Sequence, residues 1–132
     1  MAAIIGVAVA GTLLFTNLLF KCGAHTSARR MNEWLLSAVP SMGSLISLNL
    51  ASLYVGSGDI AGALRILERG RAAAAETTAF DLEMAKTLEA ARRYDEARTI
   101  YERILADDSE LGSDFRYSLS NHINRLKELA AK

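Results

Sequence analysis

Two stretches of the chain repeat each other at a separation of 34 residues, and this self-similarity constrains the fold more than any other feature. The stretch LNLASLYVGSGDIAGALRILERG, beginning at Leu48, lines up with LEMAKTLEAARRYDEARTIYERI, beginning at Leu82. Leu50 meets Met84, Ala51 meets Ala85, Tyr54 meets Leu88, Ala63 meets Ala97 and Leu67 meets Tyr101. Gly58 falls opposite Arg92, and Ile60 opposite Tyr94. In each stretch the apolar residues keep helical spacing, break at Gly58-Asp59 or at Arg92 to Asp95, and then resume. The pattern predicts a pair of helical hairpins. Small residues at 51, 63, 85 and 97 let the two helices of a hairpin approach, while Tyr54, Leu67, Leu88 and Tyr101 fill the space above and below them. A lone hairpin cannot bury its apolar face, so such units stack on neighbours.

The period, the small residues and the string Arg93-Tyr94-Asp95-Glu96-Ala97 resemble the tetratricopeptide repeat. The second unit, 78–111, carries the resemblance best, although Arg92 and Ser109 replace the usual glycine and proline. The first, 44–77, keeps Gly58 but has Gly70 and Ala75 at two other signature positions. Gly23, Ala28 and Pro40 reproduce the spacing of a repeat's second half, so a degenerate unit is expected over 9–41, with its first helix near Leu13–Lys21. The resemblance implies a protein-binding solenoid whose concave groove is lined by the first helix of each repeat. Carried onto this sequence, the groove positions are Leu48, Asn49 and Ser52 in one unit and Leu82, Glu83, Lys86 and Glu89 in the next. Leu48 and Ser52 stand where repeats that clamp acidic chaperone tails want Lys and Asn, so that ligand is not expected. A groove bearing Glu83, Lys86 and Glu89 suits a short helix of mixed charge. The competing reading is that these side chains simply face water.

The N-terminus is a different environment. From Ala2 to Phe20 there is no charged residue, and nineteen residues at roughly 1.5 Å each span about 28 Å, close to the hydrocarbon thickness of a bilayer. No Lys or Arg precedes the run, and Leu19-Phe20-Lys21 before Cys22 does not resemble a processing site. An uncleaved membrane anchor is the expectation, against the alternative of an apolar helix buried in a soluble core. Lys21, Arg29 and Arg30 follow the run, which predicts a single-pass protein with its repeat domain in the cytoplasm. Ala2, Gly6 and Ala10 form a stripe of small residues on which a second transmembrane helix could pack, although alanine is common throughout the chain.

Beyond Gly112 the period changes. Phe115, Leu119, Ile123, Leu126 and Leu129 share one helical face, with Ser113 as the expected N-cap, and a capping helix follows. The expected layout is all-α: a transmembrane anchor over 1–21, a degenerate repeat half or connecting helix over 22–41, two repeat hairpins over 42–111 and a capping helix over 112–132.

Charge and chemistry narrow the function. Fifteen basic and fifteen acidic residues give zero net charge, which argues against nucleic acid as a partner. The single cysteine makes no intramolecular disulfide, and Cys22 reads as a half-buried thiol at the membrane edge in preference to a palmitoylation site. His25 and His122 have no nucleophile or carboxylate at useful spacing. Asp107, Asp108 and Glu110 lack the alternation of a calcium loop, and Arg65, Arg69 and Arg71 read as an ordinary polar helix face with Glu68 among them. Trp34 is expected to fill a junction between helices, the alternative being an interfacial anchor. No catalytic site, no cofactor, no metal and no small-molecule substrate is expected. The function expected is a membrane-anchored adaptor that binds proteins, as an assembly factor or accessory subunit of an integral membrane complex, with lipid as its other partner. A self-assembling module that forms oligomers or filaments is the alternative.

Overall fold

The computed structural model describes residues 1–107 and 110–132. Its helices are α1 (Ala2–Lys21), α2 (His25–Ala38), α3 (Gly43–Gly56), α4 (Ile60–Ala73), α5 (Thr78–Ala90), α6 (Tyr94–Asp107) and α7 (Ser113–Ala130), with a 3₁₀ turn at Pro40–Met42 before α3. Among the described residues there is no strand. The chain divides into two compact units, Met1–Gly70 and Arg71–Lys132, the division falling inside α4. Asp108 and Ser109, which the sequence reading places in a turn and at a signature position, lie outside the described residues.

Three turns carry the repeat. Gly23, Gly58 and Arg92 adopt φ of 87°, 81° and 59°, the left-handed conformation that ends a helix. Each closes its helix with the same pair of hydrogen bonds. The amides of Gly23, Gly58 and Arg92 donate to the carbonyls of Phe20, Val55 and Glu89, and the next amides donate to those of Leu19, Tyr54 and Leu88. Five residues after each turn sits an alanine, Ala28, Ala63 or Ala97, and each is fully buried. The correspondence of Gly58 with Arg92 is therefore geometric as well as textual. It also extends to Gly23: the segment expected as an anchor is the first helix of a hairpin, with α2 as its second.

In the first unit, Val9 and Leu13 of α1, Leu35 of α2 and Ile46 of α3 form a core that Leu36, Val39 and Met42 border. Beside it runs a ladder of amides. Asn17 Nδ2 donates to Asn49 Oδ1 (3.1 Å), Asn49 Nδ2 to Asn32 Oδ1 (2.9 Å), and Asn32 Nδ2 to the Ala28 carbonyl (3.1 Å). Asn32 is fully buried, so the two bonds it makes satisfy groups that water cannot reach. Opposite its buried side, α1 turns Ile4, Val7, Leu14 and Leu18 outward, each 57–74 % exposed. Trp34 is 63 % exposed; it fills no junction, because α2 points it away from the core that Leu35 enters one residue later.

In the second unit, Phe80, Ala85 and Leu88 of α5 pack with Ala97, Ile100, Tyr101 and Ile104 of α6. Helix α7 covers α6 with Leu119, Ile123 and Leu126, while Phe115 and Leu129, at the ends of that face, remain about 40 % exposed. The N-cap position of α7 is Gly112, and no side chain caps the helix; Ser113 is already helical. Arg71 is not part of a plain polar face. Its guanidinium and that of Arg103 grip the buried carboxylate of Asp81, at 2.7 and 2.6 Å. That hydrogen bond raises the pKa of Arg71 further.

Candidate protein-binding surfaces

The groove positions expected in the first unit lie along α3. Leu48 and Asn49 are half-buried and Ser52 is exposed. Asn49 spends both ends of its amide on Asn17 and Asn32, so it ties α1, α2 and α3 together as well as bordering the surface. Those of the second unit lie along α5. Leu82, Glu83 and Glu89 are half-buried and Lys86 is exposed. Lys86 Nζ sits 2.9 Å from Glu83 Oε1, an exposed pair one turn apart. Glu89 is engaged from two other helices: the Tyr101 hydroxyl of α6 donates to Oε1 at 2.6 Å, and His122 Nε2 of α7 lies 2.8 Å from the same oxygen. Arg125 Nη2 approaches His122 Nδ1 at 3.2 Å. Arginine offers only donors, so Nδ1 accepts and Nε2 donates to Glu89. Burial, and then the Glu89 carboxylate, push the Tyr101 hydroxyl well above its ordinary pKa. His122 thus has a structural partner 33 residues away, which no local spacing reveals.

Ala2 and Ala10 are exposed, and the space beside Gly6 is open, so within the first unit the small-residue stripe of α1 meets no helix at Gly6. Cys22 is exposed. His25 stacks on Phe20 at 4.2 Å between ring centroids, closing the α1–α2 turn. Among the described residues no group of three or more His, Cys, Asp or Glu side chains converges to hold a metal ion.

Two concave surfaces of the first unit escaped the sequence reading. An open groove of about 790 Å³ runs between α1 and α2, with Ala8 and Gly11 in its lining, Phe15 and Trp34 as its aromatic walls and Arg30 beside them. A second cavity of about 560 Å³ lies among α2, α3 and α4, where Glu33, Leu50, Tyr54, Arg65 and Arg69 meet. There the Tyr54 hydroxyl donates to Glu33 Oε1 at 2.9 Å, and the Arg29 guanidinium lies over the Tyr54 ring, 4.9 Å from its centroid.

The three matching turns, the buried alanines and the covering helix α7 define a class: an α-helical repeat protein. Residues 54–117 match the family described as tetratricopeptide repeat, and that stretch carries the family's repeat. No curated protein sequence matches it. Among solved structures, the type III secretion translocator chaperone SycD of Yersinia enterocolitica is similar, with a TM-score of 0.66 over 96 % of this chain and 88 % of that one. Identity is 14 %, so this likeness shows the fold alone. The repeat fold makes the chain a protein-interaction adaptor.

Proposed function

We propose that this adaptor acts on a membrane protein complex, as an assembly factor or accessory subunit, with α1 as the element that engages the membrane and the first helices of the repeats as the elements that bind protein. The observation that carries the membrane part is the distribution of α1's surface. Its most apolar stretch has a mean hydropathy of 2.1, yet only 17 % of that stretch is buried. A core helix of a soluble protein hides such a surface; a helix apolar all round is covered by lipid or by another protein. The hairpin adds a physical condition. Helix α2 packs along α1 and carries Arg29, Arg30 and Glu33, and each such charge costs about 2.5–3.5 kcal/mol at a bilayer centre. A full span by α1 therefore requires its release from α2, whereas the folded hairpin offers the outer face of α1 to lipid or to an embedded subunit.

The groove positions Leu48, Asn49 and Ser52, and Leu82, Glu83, Lys86 and Glu89, supply the contacts to the client, and Ala2, Gly6 and Ala10 give a transmembrane partner a smooth surface to pack on. Membrane tethering raises the local concentration of these positions, so weak contacts suffice. The cytoplasm is the side assigned to the repeats, from Lys21, Arg29 and Arg30. The test is fractionation: the full chain should stay with membranes through a carbonate wash and co-purify in mild detergent with a stoichiometric partner. A chain released as a monomer by the wash contradicts the proposal. Protease protection of the repeats in sealed vesicles tests the orientation.

A further inference from the structure

The open groove between α1 and α2 and the cavity among α2, α3 and α4 occupy the same place in two successive repeats. The matched turns at Gly23 and Gly58 set an offset of 35 residues. Under that offset Phe15 corresponds to Leu50, Ser27 to Gly62, Arg30 to Arg65, Met31 to Ile66 and Trp34 to Arg69. The first of each pair lines the groove and the second lines the cavity. One wall distinguishes them. In the second repeat α2 closes the space: Glu33 and Leu36 line the cavity with Arg65 and Arg69, and Leu35 is buried against Ile46. In the first repeat no helix among the described residues of that unit takes α2's place. Phe15 is 50 % exposed, Trp34 is 63 % exposed, and the space beside Gly11 is empty.

We propose that the groove binds an amphipathic helix of a partner protein that reproduces the covering face of α2: a carboxylate, followed two, three and six positions later by large aliphatic side chains. The pattern is that of Glu33, Leu35, Leu36 and Val39. The aliphatic side chains fill the space between Phe15 and Trp34 over Ala8 and Gly11, as an amphipathic helix does in an apolar groove. The carboxylate faces Arg30, as Glu33 shares its cavity with Arg65 and Arg69, and this sets orientation and register. This docking site rests on the protein-binding role proposed above and adds a second face to it, apart from the positions on α3 and α5.

Trp34 is the only tryptophan of the chain and reports on the groove directly. The probe is a peptide copying residues 24–42 with Trp34→Phe, held helical by a hydrocarbon staple on its solvent side, titrated into the full chain. Trp34 emission should shift to the blue and saturate at one peptide per chain. Gly11→Leu places a side chain in the empty space without disturbing α1 and should weaken binding more than tenfold. Arg30→Glu, an exposed position, should weaken it about tenfold, and Glu33→Lys in the peptide should restore it. Absence of a shift up to roughly 1 mM peptide overturns the proposal, as does unchanged binding in both variants. A shift that follows chain concentration without peptide assigns the groove to a second copy. A shift on vesicles of phosphatidylcholine and phosphatidylserine that the peptide cannot compete assigns it to lipid. Glu83→Lys should leave the peptide titration unchanged while reducing client recovery from membranes, so the two faces fail separately.

Discussion

Arg92 occupies the position where the other two hairpins use glycine, and it pays a steric penalty there. A left-handed conformation costs a residue with a Cβ about 1–2 kcal/mol, and glycine escapes it at the expense of greater freedom in the unfolded chain. Arg92→Gly should therefore stabilise the protein by about 0.5–1 kcal/mol, read as a higher urea midpoint with unchanged slope. A lower midpoint would show that the Arg92 side chain contributes more than its strain costs. Asp81 makes the opposite case. Its carboxylate is buried between two partly exposed arginines, so Asp81→Ala removes the anion but leaves cations that can still reach water. The expected loss is about 1–3 kcal/mol by chemical denaturation, below the 3–5 kcal/mol of a fully buried pair. Neither residue was equally legible beforehand. Arg92 was placed by its register with Gly58, because a turn is local. Asp81 was missed, because its partners come from α4 and α6 and only folding assembles them.

At the scale of elements, the helices themselves were readable from apolar period and breaks, and the buried faces of α6 and α7 follow that period. What joins the helices was not. The Asn17–Asn49–Asn32 ladder ties α1 to α2 and α3, and no local spacing links its three asparagines. Asn49→Leu should remove the partners of Asn17 Nδ2 and Asn32 Oδ1 and cost about 1–3 kcal/mol, with faster amide exchange concentrated in α1. Unchanged exchange in α1 would show that the apolar core alone holds it. On the other side, Tyr101 and His122 converge on Glu89 and fasten α6 and α7 to α5. The folded state raises the pKa of the Tyr101 hydroxyl, so this contribution is complete below the unfolded value of about 10 and is lost as pH climbs beyond it. Thermal melts should show stability falling above about pH 10, and Tyr101→Phe should flatten that fall. An equal slope in the variant would place the alkaline sensitivity elsewhere.

For the whole molecule, zero net charge and a high apolar fraction describe an average over unlike parts. The repeats carry balanced charge on their surfaces, whereas α1 holds an apolar face that its own unit leaves uncovered. The sequence made that face visible as a run long enough to span a bilayer. The spacing of Gly23, Ala28 and Pro40 pointed to the end of that run, near Leu13–Lys21, as the first helix of a degenerate repeat, but not to the whole of Ala2–Lys21, whose buried residues Val9, Leu13 and Thr16 make a thin stripe in an otherwise apolar helix. The groove residues on α3 and α5 came from the repeat register. The groove beside Trp34 did not, because an open first repeat and a covered second one look alike in one dimension. The central claim, that this repeat protein works by holding another protein at a membrane, is tested most directly by native mass spectrometry of the complex released from membranes in mild detergent. The account predicts the 14.3 kDa chain bound to a different protein at fixed stoichiometry, with the complex lost on Glu83→Lys or Lys86→Glu. A spectrum of free chain, or of copies of the chain alone, would contradict it.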